Sequence, residues 1–215
     1  MSDISIKTIE NAVRGHVPQP IGWYGYASVL LPLVNKHETL HLLYEVRSDE
    51  LRKQPGEISF PGGKMEPGET PEQTAVRETC EELCIPDCAV RLITQLDYIV
   101  TYSNFTMYAC LGEIDAAALT AEPNRAEVKD TFLVPLSFFL DNDPEIFVNR
   151  VAPILPADFP LEKILFKDGY SWREGSAAVP IYTWPDPDAG EDRIIWGLTA
   201  RLTHRFIELI QPTQK

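Results

Sequence analysis

Two largely apolar runs, Ala27-Ser28-Val29-Leu30-Leu31-Pro32-Leu33 and Leu40-His41-Leu42-Leu43-Tyr44-Glu45-Val46, have the length and content of buried strands. His37-Glu38 between them reads as a turn, so the pair predicts a hairpin. Ala89 to Gln95, Tyr98 to Tyr102, Phe105 to Ile114 and Thr131 to Pro135 predict further strands. Ile181 to Trp184 and Arg193 to Trp196 predict two more, around the acidic turn Pro185 to Asp192. Helical spacing marks both ends of the chain. Ile4, Ile6, Ile9 and Val13 stripe a short amphipathic lead that Pro18 and Pro20 end. Leu198, Leu202, Phe206, Leu209 and Ile210 stripe a closing helix from Leu198 to Ile210. Helices and strands alternate irregularly, which predicts an α/β fold with a mixed sheet sandwiched by helices, not a doubly wound parallel one.

One further helix carries the chemistry. Thr70 caps it, Pro71 suits its first position and Gln73 completes a capping box. It runs from about Pro71 to Leu83 and stops before Pro86, since a residue preceding proline disfavours the helical basin. Ala75, Val76, Thr79, Cys80 and Leu83 give it a core face. Glu78, Glu81 and Glu82 stand at i, i+3 and i+4 and share another face. Each close pair of like charges there costs on the order of 0.2–0.5 kcal/mol. A divalent cation reverses that sign, and hard carboxylate oxygens suit Mg²⁺ or Mn²⁺.

Composition narrows the options. The 215 residues suit one domain, with a core over about 27–140 and an extension with the closing helix over about 141–215. A net charge of -13 argues against unspecific nucleic-acid binding, which needs a basic footprint. It allows a small anionic substrate, because a bound metal and a few arginines invert the field locally. No apolar run reaches membrane-spanning length and the N-terminus lacks a signal-peptide core, so the expected location is cytoplasmic. Cys80, Cys84, Cys88 and Cys110 form no C-x-x-C pair and read as reduced thiols. Two lookalikes fail. Gly62-Gly63-Lys64 lacks the first glycine and the Ser or Thr of a phosphate loop, and Asp186-Pro187-Asp188-Ala189-Gly190 lacks the later ligands of a calcium loop.

Residues 56–85 resemble the Nudix box, G-x5-E-x7-R-E-U-x-E-E-x-G-U with U aliphatic: Gly63, Glu69, Arg77, Glu78, Glu81, Glu82 and Ile85 fall in register. Thr79 replaces an aliphatic, and Cys84 replaces the last glycine, at a helix exit where a left-handed residue is common. The resemblance implies a Nudix-type α/β/α sandwich and metal-dependent hydrolysis of a nucleoside diphosphate joined to another group. It implies Glu78, Glu81 and Glu82 as metal ligands with the Gly63 carbonyl, Arg77 as their organiser, and Glu69 as a loop anchor or more distant actor. Glu127 is the candidate later-loop general base. Upstream, Arg47, Ser48, Arg52, Gly56 and Phe60-Pro61-Gly62-Gly63 match the extra motif of coenzyme A pyrophosphatases, roughly L-L-T-x-R-[SA]-x3-R-x3-G-x3-F-P-G-G. Tyr44 and Glu45 depart from it at the second Leu and the Thr. Ile195-Trp196-Gly197-Leu198-Thr199-Ala200 also looks like that subfamily. Arg47, Arg52 and Lys64 are the candidate substrate-binding cations. The expected reaction cleaves coenzyme A or acyl-coenzyme A to 4′-phosphopantetheine and adenosine 3′,5′-bisphosphate. The rivals are a pyrophosphatase of ADP-ribose or dinucleotides and a non-catalytic nucleotide-sensing module. The partner is a small nucleotide-diphosphate substrate, with no nucleic acid and no membrane; a homodimer is left open.

Overall fold

The computed structural model describes residues 5–18, 20–22, 24–164 and 172–211; Ile4 of the lead stripe lies outside them. In chain order the elements are α1 (Ile6–Val13), β1 (Gly25–Lys36), β2 (Thr39–Arg47), β3 (Ile58–Ser59), β4 (Gly62–Lys64), α2 (Pro71–Leu83), β5 (Val90–Gln95), β6 (Ile99–Thr101) and β7 (Phe105–Ile114). They continue with β8 (Val128–Pro135), α3 (Leu136–Asp141), β9 (Glu145–Val151), β10 (Gly175–Asp186), β11 (Glu191–Trp196) and α4 (Gly197–Ile210).

The sheet is mixed, as the irregular alternation predicts. β1 and β2 form the expected hairpin, and both turn residues have positive φ (His37 53°, Glu38 63°), which a two-residue loop of that twist requires. On its other edge β1 pairs in parallel with β7 over its first ten residues. β8 lies antiparallel to β2, while β5 and β6 lie antiparallel to β7. The hairpin strands then part. Beyond Leu33 and Leu42, β2 pairs with β3 at Glu45 and Val46, and β1 pairs with β4 from Ala27 to Val29. Residues 58–64 therefore fill a fork between β1 and β2, pinned by the Leu30 amide donating to the Pro61 carbonyl at 2.9 Å.

Side chains alternate across this sheet. Leu30, Val34 and Leu43 join Ala75 and Leu83 of α2 in one apolar layer. Val29, Leu31, Leu42 and Tyr44 join Ala200, Leu202, Phe206 and Ile207 of α4 in the other. A second, three-stranded sheet, β11-β10-β9, carries Tyr182 and Ile195 into that same layer. The extension thus shares its core with the N-terminal sheet. Tyr44, one departure from the resembling motif, is fully buried against Phe60 at a ring-centroid distance of 4.7 Å and hydrogen-bonds Thr203 at 2.9 Å.

Several expectations need correction. α1 forms, yet Ile6, Ile9 and Val13 are all exposed, so its stripe packs on no core. Leu209 and Ile210 are exposed as well, and the buried stripe of α4 runs through Ala200, Leu202, Thr203, Phe206 and Ile207. On α2 the buried positions are Thr74, Ala75, Thr79, Glu82 and Leu83, while Val76 and Cys80 are only half-buried. The expected strand Ile181 to Trp184 is the last part of a longer one whose partner, β9, the periodicity does not announce.

Candidate active site

α2 begins as its sequence dictates. The Thr70 hydroxyl accepts from the Gln73 amide at 3.3 Å, and the Gln73 side chain accepts from the Thr70 amide at 2.9 Å. It ends at Cys84, whose φ of 53° and ψ of 40° lie in the left-handed region. The residue standing in place of glycine thus occupies the strained exit, with its side chain exposed. Thr79 fits the packed face because its hydroxyl donates to the Ala75 carbonyl at 2.7 Å.

Arg77 is the hub of the helix surface. Its Nε donates to Glu69 Oε1 at 2.7 Å and a second guanidinium nitrogen to Glu69 Oε2 at 3.1 Å. The remaining nitrogen reaches Glu78 Oε1 at 2.9 Å and Glu81 Oε2 at 3.2 Å. Glu69 also accepts from the Thr74 hydroxyl at 2.7 Å and the Glu66 amide at 2.9 Å. These donors, Arg77 first, hold its carboxyl down at about 2. Glu69 is therefore the anionic anchor of the loop before the helix.

The three glutamates of α2 meet different surroundings. Glu81 stands outermost, its side chain 57% exposed. Glu78 lies against Gly63, where a Cβ would collide with its carboxylate. Glu82 is buried, and its Oε2 accepts from the Gly62 amide at 2.8 Å. A side chain at Gly62, with φ of 151°, would strike the Ser28 carbonyl and the Val29 backbone, so close approach requires glycine there, while at Gly63 a side chain would displace the Glu78 carboxylate. Burial raises Glu78 despite Arg77. Glu82 is pushed up to about 9, by burial first and then by the charge of Glu45, which the Gly62 amide only partly offsets.

Glu45, the second departure from the motif, is the residue whose placement the sequence does not reveal. It points to the α2 side of β2 with Leu43, is 1% exposed, and accepts from the Ser59 hydroxyl at 3.0 Å. Burial pushes it up to about 7, against the Ser59 hydrogen bond. Glu127 is brought to the same place by backbone bonds: the Asn124 amide donates to the Glu82 carbonyl at 2.8 Å, and the Ser48 amide to the Glu127 carbonyl at 2.8 Å. Glu127 is exposed there. The structure thus gathers Glu78, Glu82 and Glu127 with Glu45 and leaves Glu81 at the rim. Among the described residues no three His, Cys, Asp or Glu side chains are drawn close enough to hold a metal ion as they stand.

The candidate cations are less closely held. Arg47 shares the α2 side of β2 with Glu45 and is half-buried, its Nε without a hydrogen-bond partner. Arg52 and Lys64 are exposed. Among the described residues neither arginine makes the loop-to-core salt bridge that would explain it structurally. The C-terminal motif supports the same fork, because the Thr199 hydroxyl donates to the Ile58 carbonyl at 3.1 Å. No helix among the described residues is long and apolar enough to cross a membrane.

Residues 25–148 match the family described as NUDIX domain. "Peroxisomal coenzyme A diphosphatase NUDT7" of Mus musculus is 32% identical over 176 residues, covering 81% of this chain and 66% of the mouse one. "Mitochondrial coenzyme A diphosphatase NUDT8" of Homo sapiens is 30% identical over 191 residues, covering 86% of this chain and 70% of the human one. The chain spans just under two thirds of the mouse relative. A solved structure, "Crystal structure of a Nudix Hydrolase from M. Smegmatis, RenU", aligns with 56% of this chain and 76% of that one at 24% identity and a TM-score of 0.43. A match over more than half the chain, across the stretch that builds the carboxylate site, makes this protein a member of the Nudix hydrolase family.

Proposed function

We propose that this Nudix hydrolase cleaves the pyrophosphate bond of coenzyme A or an acyl-coenzyme A, giving 4′-phosphopantetheine and adenosine 3′,5′-bisphosphate. The observation that carries the reading is Glu78 and Glu82 packed against Gly62 and Gly63 at the start of β4, directly after the Phe60-Pro61 of the coenzyme A-type motif. The chemistry of the donors, though not their present spacing, suits Mg²⁺ or Mn²⁺. The oxygens are hard, two of the carboxyls are pushed up by burial, and one buried carboxylate oxygen has no partner. Glu78, Glu82 and the Gly63 carbonyl would hold such an ion, with Glu81 reaching in from the rim. Bound there, it would supply charge neutralisation at the pyrophosphate and make water more acidic.

The chain's own groups do the rest. Arg77 restrains Glu78 and Glu81 from outside, and Glu69 restrains Arg77, which limits the directions in which these two carboxylates can turn. Glu127, exposed at the mouth, takes the proton of the attacking water. Arg47 and Arg52 receive the 3′-phosphate, for which a guanidinium offers paired donors. Lys64, exposed at the end of β4, adds a point charge. A cleft of about 560 Å³ beside this loop, lined by Gly56, Glu57, Ile58, Arg193 and Trp196 among others, offers room for the pantetheine arm.

The chain acts in the cytoplasm in this reading, as one folded domain and as monomer or homodimer. The names of the two relatives place those proteins in peroxisomes and mitochondria, so fractionation of a tagged chain is the check. The test of function is a turnover screen of coenzyme A, acyl-coenzyme A, ADP-ribose, NADH and diadenosine polyphosphates with Mg²⁺ and with Mn²⁺. Preference for ADP-ribose or NADH sinks the substrate assignment. Binding without turnover of any of them identifies a sensing module instead.

A further inference from the structure

Position 45 separates this chain from the motif it resembles, which has threonine there. Glu45 lies inside the molecule on the α2 side of β2, and its two oxygens have different fates. Oε1 accepts from Ser59, which is paired with it across β2 and β3. Oε2 is buried with no hydrogen-bond partner. Arg47, two residues on and on the same side, is the nearest cation in sequence, yet it forms no ion pair with Glu45 among the described residues, and its own Nε is also unpartnered. Besides the charge of Arg47, which favours the carboxylate, Glu45 lies within the field of other carboxylates, Glu127, Glu78 and Glu82.

A buried oxygen with a lone pair to give, set among other oxygen donors, is poorly placed for stability and well placed for a cation. We propose that Glu45 is an additional carboxylate of the divalent-cation site, its free oxygen facing an ion that Glu78 and Glu82 also hold. This rests on the metal-site reading above and extends it to a residue outside the Nudix box. Among the described residues no three carboxyls stand at ligand spacing, and each of these three has another partner: Ser59 for Glu45, the Gly62 amide for Glu82 and Arg77 for Glu78. Closing on one ion exchanges some of those bonds for bonds to the metal. A fourth negative group in reach of the ion tightens binding in a way that threonine cannot.

The test uses Mn²⁺ alone, without substrate, titrated calorimetrically into the full chain and into Glu45→Gln, Glu45→Thr and Glu82→Gln. Both Glu45 variants are expected to keep a thermal midpoint at or above wild type before Mn²⁺ is added, because an unpartnered buried carboxylate has been removed. They are expected to bind Mn²⁺ about ten-fold or more weakly, a loss of roughly 1.4 kcal/mol or more. Mn²⁺ affinity unchanged in both variants overturns the proposal. So does a midpoint well below wild type in both, which would make Glu45 a packing residue. Glu82→Gln keeps the two readings apart. If it loses Mn²⁺ binding while the Glu45 variants keep it, the box site stands and only the role of Glu45 fails. If Glu82→Gln also binds as wild type does, the metal-site reading falls as well.

Discussion

α2 and α4 cover opposite faces of one sheet with almost equal lengths, 13 and 14 residues, and bury opposite chemistry. α4 inserts Leu202, Phe206 and Ile207 beside Ala200, and its buried Thr203 is spent on Tyr44. α2 inserts Thr74, Thr79 and Glu82 beside Ala75 and Leu83. Apolar burial contributes about 25 cal/mol per Å², so α4 is the stronger clamp and α2 gives up packing for polar placement. Carboxylates follow the same division. Glu82 is driven toward its neutral form on the α2 side. On the C-terminal side Asp186 is held below its usual range: burial alone would raise it, but Arg193 and the amides of Asp188 and Ala189 outweigh that. Stability and chemistry are therefore separable by face.

The largest expected effect is on the α4 face. Phe206→Ala should cost about 3–5 kcal/mol of stability in urea unfolding. The protein that remains folded should turn over near the wild-type rate. A loss below 1 kcal/mol would mean that α4 is a peripheral cover and would erase the contrast. On the α2 face, Glu82→Gln should lower kcat by about a hundred-fold or more, near 2.7 kcal/mol of transition-state stabilisation. Its unfolding free energy should stay level or rise, because the amide enters the buried position without the proton that burial forces the carboxyl to take up. Near-normal turnover in that variant removes Glu82 from the chemistry.

The boundaries of α2 were legible because they are local. A cap, a proline and a capping box act within four residues, and the helix spans the predicted Pro71–Leu83. The partition of its faces was not. Spacing groups Glu82 with Glu78 and Glu81, but the parting of β1 from β2 and the Gly62 amide at the start of β4 decide that Glu82 is buried. β3 and β4 have two and three residues, too few to show a period, and exist because the fork offers them partners. The sequence marks Glu45 as a departure from the coenzyme A-type motif, yet only strand direction tells that it points inward. Leu209 and Ile210 continue the stripe of α4 but remain exposed at its end, where helical spacing alone cannot say that the core has stopped.

Smaller effects sharpen the contrast. Arg52→Ala or Arg47→Ala should raise KM for coenzyme A by about ten- to a hundred-fold, the 1.5–3 kcal/mol of a lost charge-assisted contact. Dephospho-coenzyme A, which lacks the 3′-phosphate, should be handled almost as by wild type. Parallel losses on both substrates would make the arginines structural or place them on the pyrophosphate. Cys84→Gly should raise stability by a few tenths to about 1 kcal/mol, since the exit is left-handed and the thiol exposed. A destabilised variant would show that the thiol packs after all. The smallest effect should appear in acid. Asp186 has a depressed folded-state pKa, so its contribution is present above the ordinary aspartate value of about 3.9 and is lost as pH falls through and below it. Stability of Asp186→Asn should therefore decline less steeply than wild type below about pH 4. An identical acid slope in the two proteins would show that Arg193 does not hold Asp186 as described.

The parallel ladder between β1 and β7 has a kinetic consequence. Ser28 and Cys110 meet across it although 82 positions separate them, and the whole of α2 lies in the intervening loop. Closing a loop of that length consumes chain entropy before any contact rewards it, which places this ladder among the slower steps of folding. The hairpin of β1 and β2 can form early from a two-residue turn, but it leaves one edge of β1 open until β7 arrives. Gly62 and Gly63 can dock on β1 before then, whereas the layer of Leu30, Ala75, Leu83 and Cys110 that seats α2 needs both β1 and β7. Glu82, on the helix that this layer seats, can accordingly settle into its buried position only once the chain as far as residue 114 is available to pair.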